Sequence, residues 1–199
     1  MLGRGWLVGL VALVVSCGTP TMRVDPDADD SIGGTGIDSA DVRATADTMA
    51  RSIVANDRLF ARGMPYVIVG NPENKTDFQI DDTIFVNKLV SLLTKNAGGR
   101  IQFVDRQNWQ AIQKERELKR SGAVSVPTDA SGKPILAAAP LGSDYQLFGT
   151  LQSISKSNGK ARSDYVLVTF KLTDLETGAL IWQDDYEWKK VGASGVLYH

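Results

Sequence analysis

Asp164-Tyr165-Val166-Leu167-Val168-Thr169-Phe170-Lys171-Leu172-Thr173-Asp174 places Val166, Val168, Phe170 and Leu172 at every second position. A period of two is the mark of a strand with one buried face. The stretches on either side read the same way: Tyr145 to Ile154 before it and Ala179 to Lys189 after it. Ser157-Asn158-Gly159 and Glu176-Thr177-Gly178 supply the turns, with glycines free to take positive φ. Three consecutive strands joined by such turns predict an antiparallel meander. In the last of them Leu180, Trp182, Tyr186 and Trp188 share a face, and packing against helices is their ordinary use.

Upstream the period changes to that of a helix. Asp38 or Ser39 caps a first helix whose Val42, Ala46, Met49 and Ile53 form one stripe. Pro65 to Gly70 reads as a short buried strand, and Asn71 to Gln79 as a polar loop. Asp81 or Asp82 caps a second helix, apolar through Phe85, Val86, Leu89, Val90, Leu92 and Leu93 and stopped near Asn96 by Gly98-Gly99. Ile101 to Val104 reads as a strand, and Asp105 opens a third helix through about Arg120, with Trp109 and Ile112 turned inward. Gly122 to Lys133 is a loop, and Ile135 to Leu141 is expected to make a short helical turn around Ala137 to Ala139. The expected fold class is therefore α/β (α+β). Two N-terminal parallel β-α units join the C-terminal meander in one mixed sheet, and helices pack on it.

The N-terminus carries a different signal. Leu7 to Val15 is almost wholly apolar and ends in Ser16-Cys17, the chain's one cysteine. The run is about half the ~20 residues that a spanning helix needs, so it reads as a signal-peptide core. A small residue before a lone cysteine is a lipobox, which makes Cys17 the lipid-bearing N-terminus after cleavage. Residues 1–16 are then the signal peptide, 17–37 a lipidated cysteine with a disordered tether, and 38–199 the globular domain. The tether holds Pro20, Pro26, Asp25, Asp27, Asp29, Asp30 and Gly33-Gly34-Thr35-Gly36, which bury little apolar surface. Twenty such residues relax to about 25 Å and stretch to about 70 Å. Gly18 in place of aspartate leans toward the outer membrane, with the domain facing the periplasm.

Composition narrows the function classes. Loss of Arg4 with the signal leaves 21 basic against 23 acidic side chains, too even a balance for a nucleic-acid partner. His199 is the only histidine and ends the sequence; with Cys17 lipidated, no Cys–His pair and no zinc site of the usual kind can form. No Gly-x-Ser-x-Gly or phosphate-loop motif is present, and Ser155 and Ser157, which flank Lys156, fall on a hairpin end where solvent is the ordinary surrounding rather than a framed nucleophile. Asp184 and Asp185 are neighbours on a strand and point to opposite faces, whereas Asp81 and Asp82 sit where a helix starts and suit capping. No catalytic residue, metal or cofactor is expected.

Four stretches carry a family resemblance: Gly70-Asn71 with Phe78-Gln79-Ile80-Asp81; Ile101 to Arg106; Leu141-Gly142-Ser143-Asp144-Tyr145 through Phe148-Gly149; and Leu172 to Gly178 through Ile181-Trp182. Together with the lipobox they resemble the LpoB family of penicillin-binding protein activators. The resemblance implies a non-enzymatic, monomeric outer-membrane lipoprotein. It would bind a bifunctional class A penicillin-binding protein, a peptidoglycan synthase, and raise its activity. Gly149 and Gly178 are then turn or packing residues, and Asp105 and Asp174 cap or brace turns. Exposed polar groups near strand ends and the third helix, namely Arg100, Arg106, Asp144 and Lys156, are the partner-binding candidates. The tether is short beside the long Pro-rich spacer of the enterobacterial proteins. Two other readings stay open. A CsgG-like secretion or envelope-assembly lipoprotein would need long lipid-facing strands, for which the chain has little length. A periplasmic ligand-binding or hydrolytic lipoprotein would need converging polar residues in a pocket.

Overall fold

The computed structural model describes residues 21, 23–28 and 34–193. The signal segment 1–16, Cys17, most of the expected tether and His199 lie outside them. In chain order the elements are α1 (Ser39–Val54), α2 (Asp57–Phe60), β1 (Tyr66–Val69), β2 (Glu73–Lys75), α3 (Thr83–Asn96), β3 (Gln102–Phe103), α4 (Trp109–Ser121), β4 (Tyr145–Ser157), β5 (Ala161–Asp174) and β6 (Leu180–Ala193). They form one mixed sheet of order β3-β1-β4-β5-β6, with β2 also pairing with β4. β1 is parallel to β3 and β4, and β4, β5 and β6 run antiparallel as the expected meander.

α1 starts where the capping rule puts it. The Asp38 carboxylate accepts from Asp41 N at 2.9 Å and the Asp41 carboxylate accepts from Asp38 N at 2.9 Å, a reciprocal capping box. Val42, Thr45, Ala46, Met49, Ala50 and Ile53 of α1 face inward, as do Phe85, Val86, Leu89 and Leu93 of α3. These two stripes cover the face of the sheet that presents Leu147, Leu151, Val166, Val168, Phe170 and Leu172. Burial of side chains of this size contributes about 1.5–3 kcal/mol each.

Trp182, Tyr186 and Trp188 belong to the same packed face; Trp182 is buried and its indole N–H donates to Ser52 Oγ at 3.0 Å. Leu180 does not follow them. It lies beyond a register shift at Leu172/Thr173 and is exposed.

Glycine at 149 is a packing requirement. It faces Phe170 across β4 and β5, and a Cβ there would stand 2.6 Å from the ring's Cε1. Gly178, at φ +72°, closes the β5–β6 turn in the left-handed region. That turn is braced by Asp174, whose carboxylate accepts from Glu176 N and Thr177 N at 2.9 Å each and from Arg62 at 2.8 Å. The backbone hydrogen bond from Thr177 is the chief cause that holds this carboxyl below its usual range.

Several local expectations are corrected. The Asn71–Gln79 loop contains β2, whose Glu73, Asn74 and Lys75 pair with Thr150, Leu151 and Gln152. The third helix starts at Trp109. Asp105 stands a turn ahead, accepting from Asn108 N and Nδ2 at 3.1 and 2.6 Å. No residue of that helix is buried, and Trp109, expected inside, is 39% exposed. The Ala137 to Ala139 run forms no helical turn. Its carbonyls are instead acceptors for α4: Arg116 reaches Ala137 O and Ala138 O, and Arg120 reaches Ala137 O at 2.6 Å.

Gly34 to Ile37, within the stretch expected to be spacer, lie against the β5–β6 end of the sheet. Thr35 is 2% exposed and its hydroxyl donates to Asp164. Asp164 is itself buried on the helix side of β5, where Arg162 Nε also donates to it at 2.7 Å. Burial opposes the charge of this carboxylate, but hydrogen bonds from Arg162, Ser155 and Thr35 outweigh it and hold the group below its usual range. Lys190 Nζ completes the anchorage, donating to Gly36 O at 3.1 Å and to Asp38 and Asp41 at 2.6 Å each.

Candidate functional site

The four candidate residues do not form one site. Arg100 lies in the turn after α3, its Nε donating to Ala97 O at 3.3 Å and its guanidinium 4.5 Å from the centre of the Phe60 ring. Asp144 caps the start of β1: its carboxylate accepts from Tyr66 N at 2.9 Å, and its own N–H donates to Tyr66 O at 2.7 Å. Its carbonyl also receives Leu175 N at 2.9 Å, so Asp144 braces three strand ends. Arg106 follows β3 and donates from Nη2 to Leu141 O at 2.7 Å, three residues before Asp144. Lys156 is exposed near the far end of β4. Twelve residue steps along the strand separate it from Asp144, about 40 Å. Arg100, Arg106 and Asp144 therefore cluster around the β3-β1-β4 side of the sheet, and Lys156 stands apart.

Around Arg106 the surface is concave. The exit of β3, the first turn of α4 and the Pro140-Leu141 segment enclose a cleft of about 250 Å³. Phe103, Val104, Trp109, Ile112, Pro140 and Leu141 make it apolar. Arg106 leans over Trp109 with 5.1 Å between its Cζ and the ring centre, and Arg116 stands on the rim. Asp105 is the acid on the rim; its carboxylate is engaged by Asn108, and the side-chain amide of that residue is the first cause that holds it below the usual carboxylate range. On the other side of Arg106 a second depression, about 220 Å³, is lined by Val69, Val86, Val90 and the same Phe103–Arg106 segment.

The sequence named Arg106 but missed its apolar surroundings. Trp109 and Ile112 read as inward because they are apolar positions of a helix, but their stripe is sparse among Lys114, Glu115, Arg116, Glu117, Lys119 and Arg120. Two or three apolar residues in four turns rarely seat a helix in a core.

The carboxylate pairs are accounted for locally. Asp81 accepts from Thr83 N at 3.1 Å and Thr83 Oγ1 at 2.6 Å at the start of α3. Asp184 is half-buried on the helix side of β6, and Asp185 is exposed on the other. Among the described residues no group of three or more His, Cys, Asp or Glu stands where a metal ion could be held. No helix among them is long and apolar enough to cross a membrane.

A family model described as peptidoglycan-synthase activator LpoB matches residues 41–188. Solved structures with a similar course include the LpoB C-terminal domain from Salmonella enterica. It is 14% identical, with a TM-score of 0.43, over 74% of this chain and 98% of that one. The LpoB C-terminal domain from Escherichia coli is 17% identical, with a TM-score of 0.42, over 74% and 98%. Lipoprotein GNA1162 from Neisseria meningitidis is 17% identical, with a TM-score of 0.34, over 65% and 84%. No curated protein sequence matches the chain.

Proposed function

We propose that this chain, which belongs to the peptidoglycan-synthase activator LpoB family, is an outer-membrane lipoprotein that binds a class A penicillin-binding protein and raises its activity. The family match over residues 41–188 is the observation that carries this reading. The residues agree with it. Arg100, Arg106 and Asp144 are engaged in capping and bracing, and beside Arg106 lies an apolar cleft with two arginines in its lining. Such a surface suits recognition of another protein rather than bond-making. Cys17 carries the lipid, residues up to the Gly34–Ile37 strap form the spacer, and the domain works as a monomer facing the periplasm. Activation then amounts to tighter binding to the active form of the synthase than to its resting form, with a factor equal to the ratio of the two affinities.

The test is reconstitution. The purified chain is added to a class A synthase of the same organism, and glycan polymerisation and cross-linking are followed. A saturable rise in either rate is the expected result; unchanged rates with no complex in sedimentation would end the proposal. Cys17→Ser should separately move the protein from the membrane fraction to the soluble one.

A further inference from the structure

We infer that the cleft beside Arg106 is the seat for the synthase, and that it takes an apolar side chain of the partner with a carboxylate next to it. This deepens the activator reading above and rests on it. The floor of the cleft is apolar, through Phe103, Ile112 and Pro140, and its walls are two large side chains left in water, Trp109 at 39% and Leu141 at 56% exposure. Leaving Trp109 uncovered has no folding benefit, since α4 contributes no buried residue to the core.

Shape points to the kind of occupant. The cleft holds about 250 Å³ and adjoins a second depression of about 220 Å³ across Arg106, lined by Val69, Val86 and Val90 with Asn87 and Gln107. Two shallow depressions side by side, apolar with polar edges, make the footprint of a protein contact. Charge decides the rest. Arg106 uses one of its five N–H groups on Leu141 O and keeps others for a partner. Arg116, which donates from Nη2 to Ala137 O and Ala138 O, adds a second positive charge to the lining, and Asp105, the acid there, is already hydrogen-bonded to Asn108. A carboxylate arriving over Arg106 would meet a guanidinium already oriented by a carbonyl and a tryptophan ring. Tryptophan and arginine together are also the residues in which binding energy tends to concentrate.

The experiment uses the full chain and a class A synthase of the same organism, with Kd measured by biolayer interferometry. Trp109→Ala and Arg106→Glu should each weaken binding about 10- to 100-fold, while Lys160→Glu, on the β4–β5 turn, should stay within about twofold of wild type. Leu141→Asp, at an exposed loop position that cannot unfold the core, should weaken binding at least about tenfold by repelling the partner's acid. Far-UV circular dichroism confirms that each variant is folded. Wild-type binding that survives all three substitutions within twofold overturns the inference and leaves the activator reading standing. Failure of the wild type itself to bind overturns both.

Discussion

Gly149→Ala tests how tightly the helix side of the sheet is filled. Gly149 lies opposite Phe170 in the β4–β5 ladder, and its φ is not in the left-handed region, so conformation alone would accept alanine. On propensity, removing a glycine from a strand stabilises by about 0.5–1 kcal/mol. Packing has the opposite sign. The new methyl would stand 2.6 Å from Phe170 Cε1, 2.9 Å from Cδ1 and 3.1 Å from Cζ. Carbon atoms rest at about 3.5–4.0 Å, so the ring must move by about 1 Å. Phe170 has no exposed surface, and that movement has to be taken up by its buried neighbours under α1 and α3. Overpacking of this kind costs about 1–3 kcal/mol. The net effect is a loss of about 1–2 kcal/mol, which lowers Tm by about 2–8 °C in a domain of this size.

The check is a double-mutant cycle followed by urea and thermal unfolding. With Phe170→Leu in place the clash is gone, so the same Gly149→Ala change should become neutral or stabilising. That reversal of sign is a coupling of about 1–3 kcal/mol, well above the scatter of additive sites. If Gly149→Ala raises Tm in the wild-type background, or costs the same in both backgrounds, the steric account is wrong.

The remaining predictions concern the strap and the turns. Lys190→Met should remove the anchorage of residues 36–41, speed amide exchange there, and cost about 1 kcal/mol at neutral pH, solvent holding it to the range of exposed pairs. Burial opposes the Lys190 charge but its hydrogen bonds to Asp38 and Asp41 hold it above the usual lysine range. Its contribution is therefore complete below the unfolded value near ~10.4 and lost as pH rises through the folded value, where variant and wild type should converge in Tm. Asp164 has the opposite sign: its folded value is depressed, so its contribution is complete above about pH 4 and lost as pH falls further; the Tm of Asp164→Asn should change less over that acid range than that of wild type. Gly178→Ala forces a side chain into the left-handed region and should cost about 1–2 kcal/mol in urea unfolding, with Gly178→Asn milder. Ile112→Ala should cost less than about 1 kcal/mol by the same measurement, because no residue of α4 is buried.

The meander and the two buried helices were legible because each is long and periodic, so its apolar face is stated many times over. β2 was not. Glu73-Asn74-Lys75 has no strand propensity and exists because Thr150 to Gln152 offer it a partner, which only the tertiary fold supplies. The Ala137 to Ala139 run reads as helix former, but Pro134 and Pro140 bracket it, and Arg116 and Arg120 take carbonyls that a helix would have used itself. The site was legible in the same uneven way. Arg106 and Asp144 stood out as charges beside structural elements, but the cleft depends on Leu141 meeting Trp109 across 32 residues of sequence, and no local pattern reports that. Asp164 and Asp174 fall on the apolar face of β5, in phase with Val166 to Leu172. A carboxylate on a buried face demands a partner. Those partners are Arg62 for Asp174 at one end and Arg162 with the Thr35 strap for Asp164 at the other.

That strap bears on the proposed function. The described N-terminal residues meet the domain at one place: Thr35 on Asp164, Gly36 on Lys190, and Pro26 and Asp27 against Ser39 and Arg43 at the start of α1. All of these lie on the β5–β6 side of the sheet or on α1, which packs over β6. The cleft beside Arg106 follows β3, at the opposite edge of the strand order. Four strand spacings separate those edges, about 19 Å. Under the proposed function the spacer therefore joins the domain away from the seat, and the seat is free to face a synthase while the lipid stays in the outer leaflet's partner monolayer. A spacer pulled taut would load Asp164, Lys190 and the α1 cap before it reached α4. Binding through α4 and tension through β6 would then act on opposite edges of one sheet, and the sheet would carry the load from the strap to the seat.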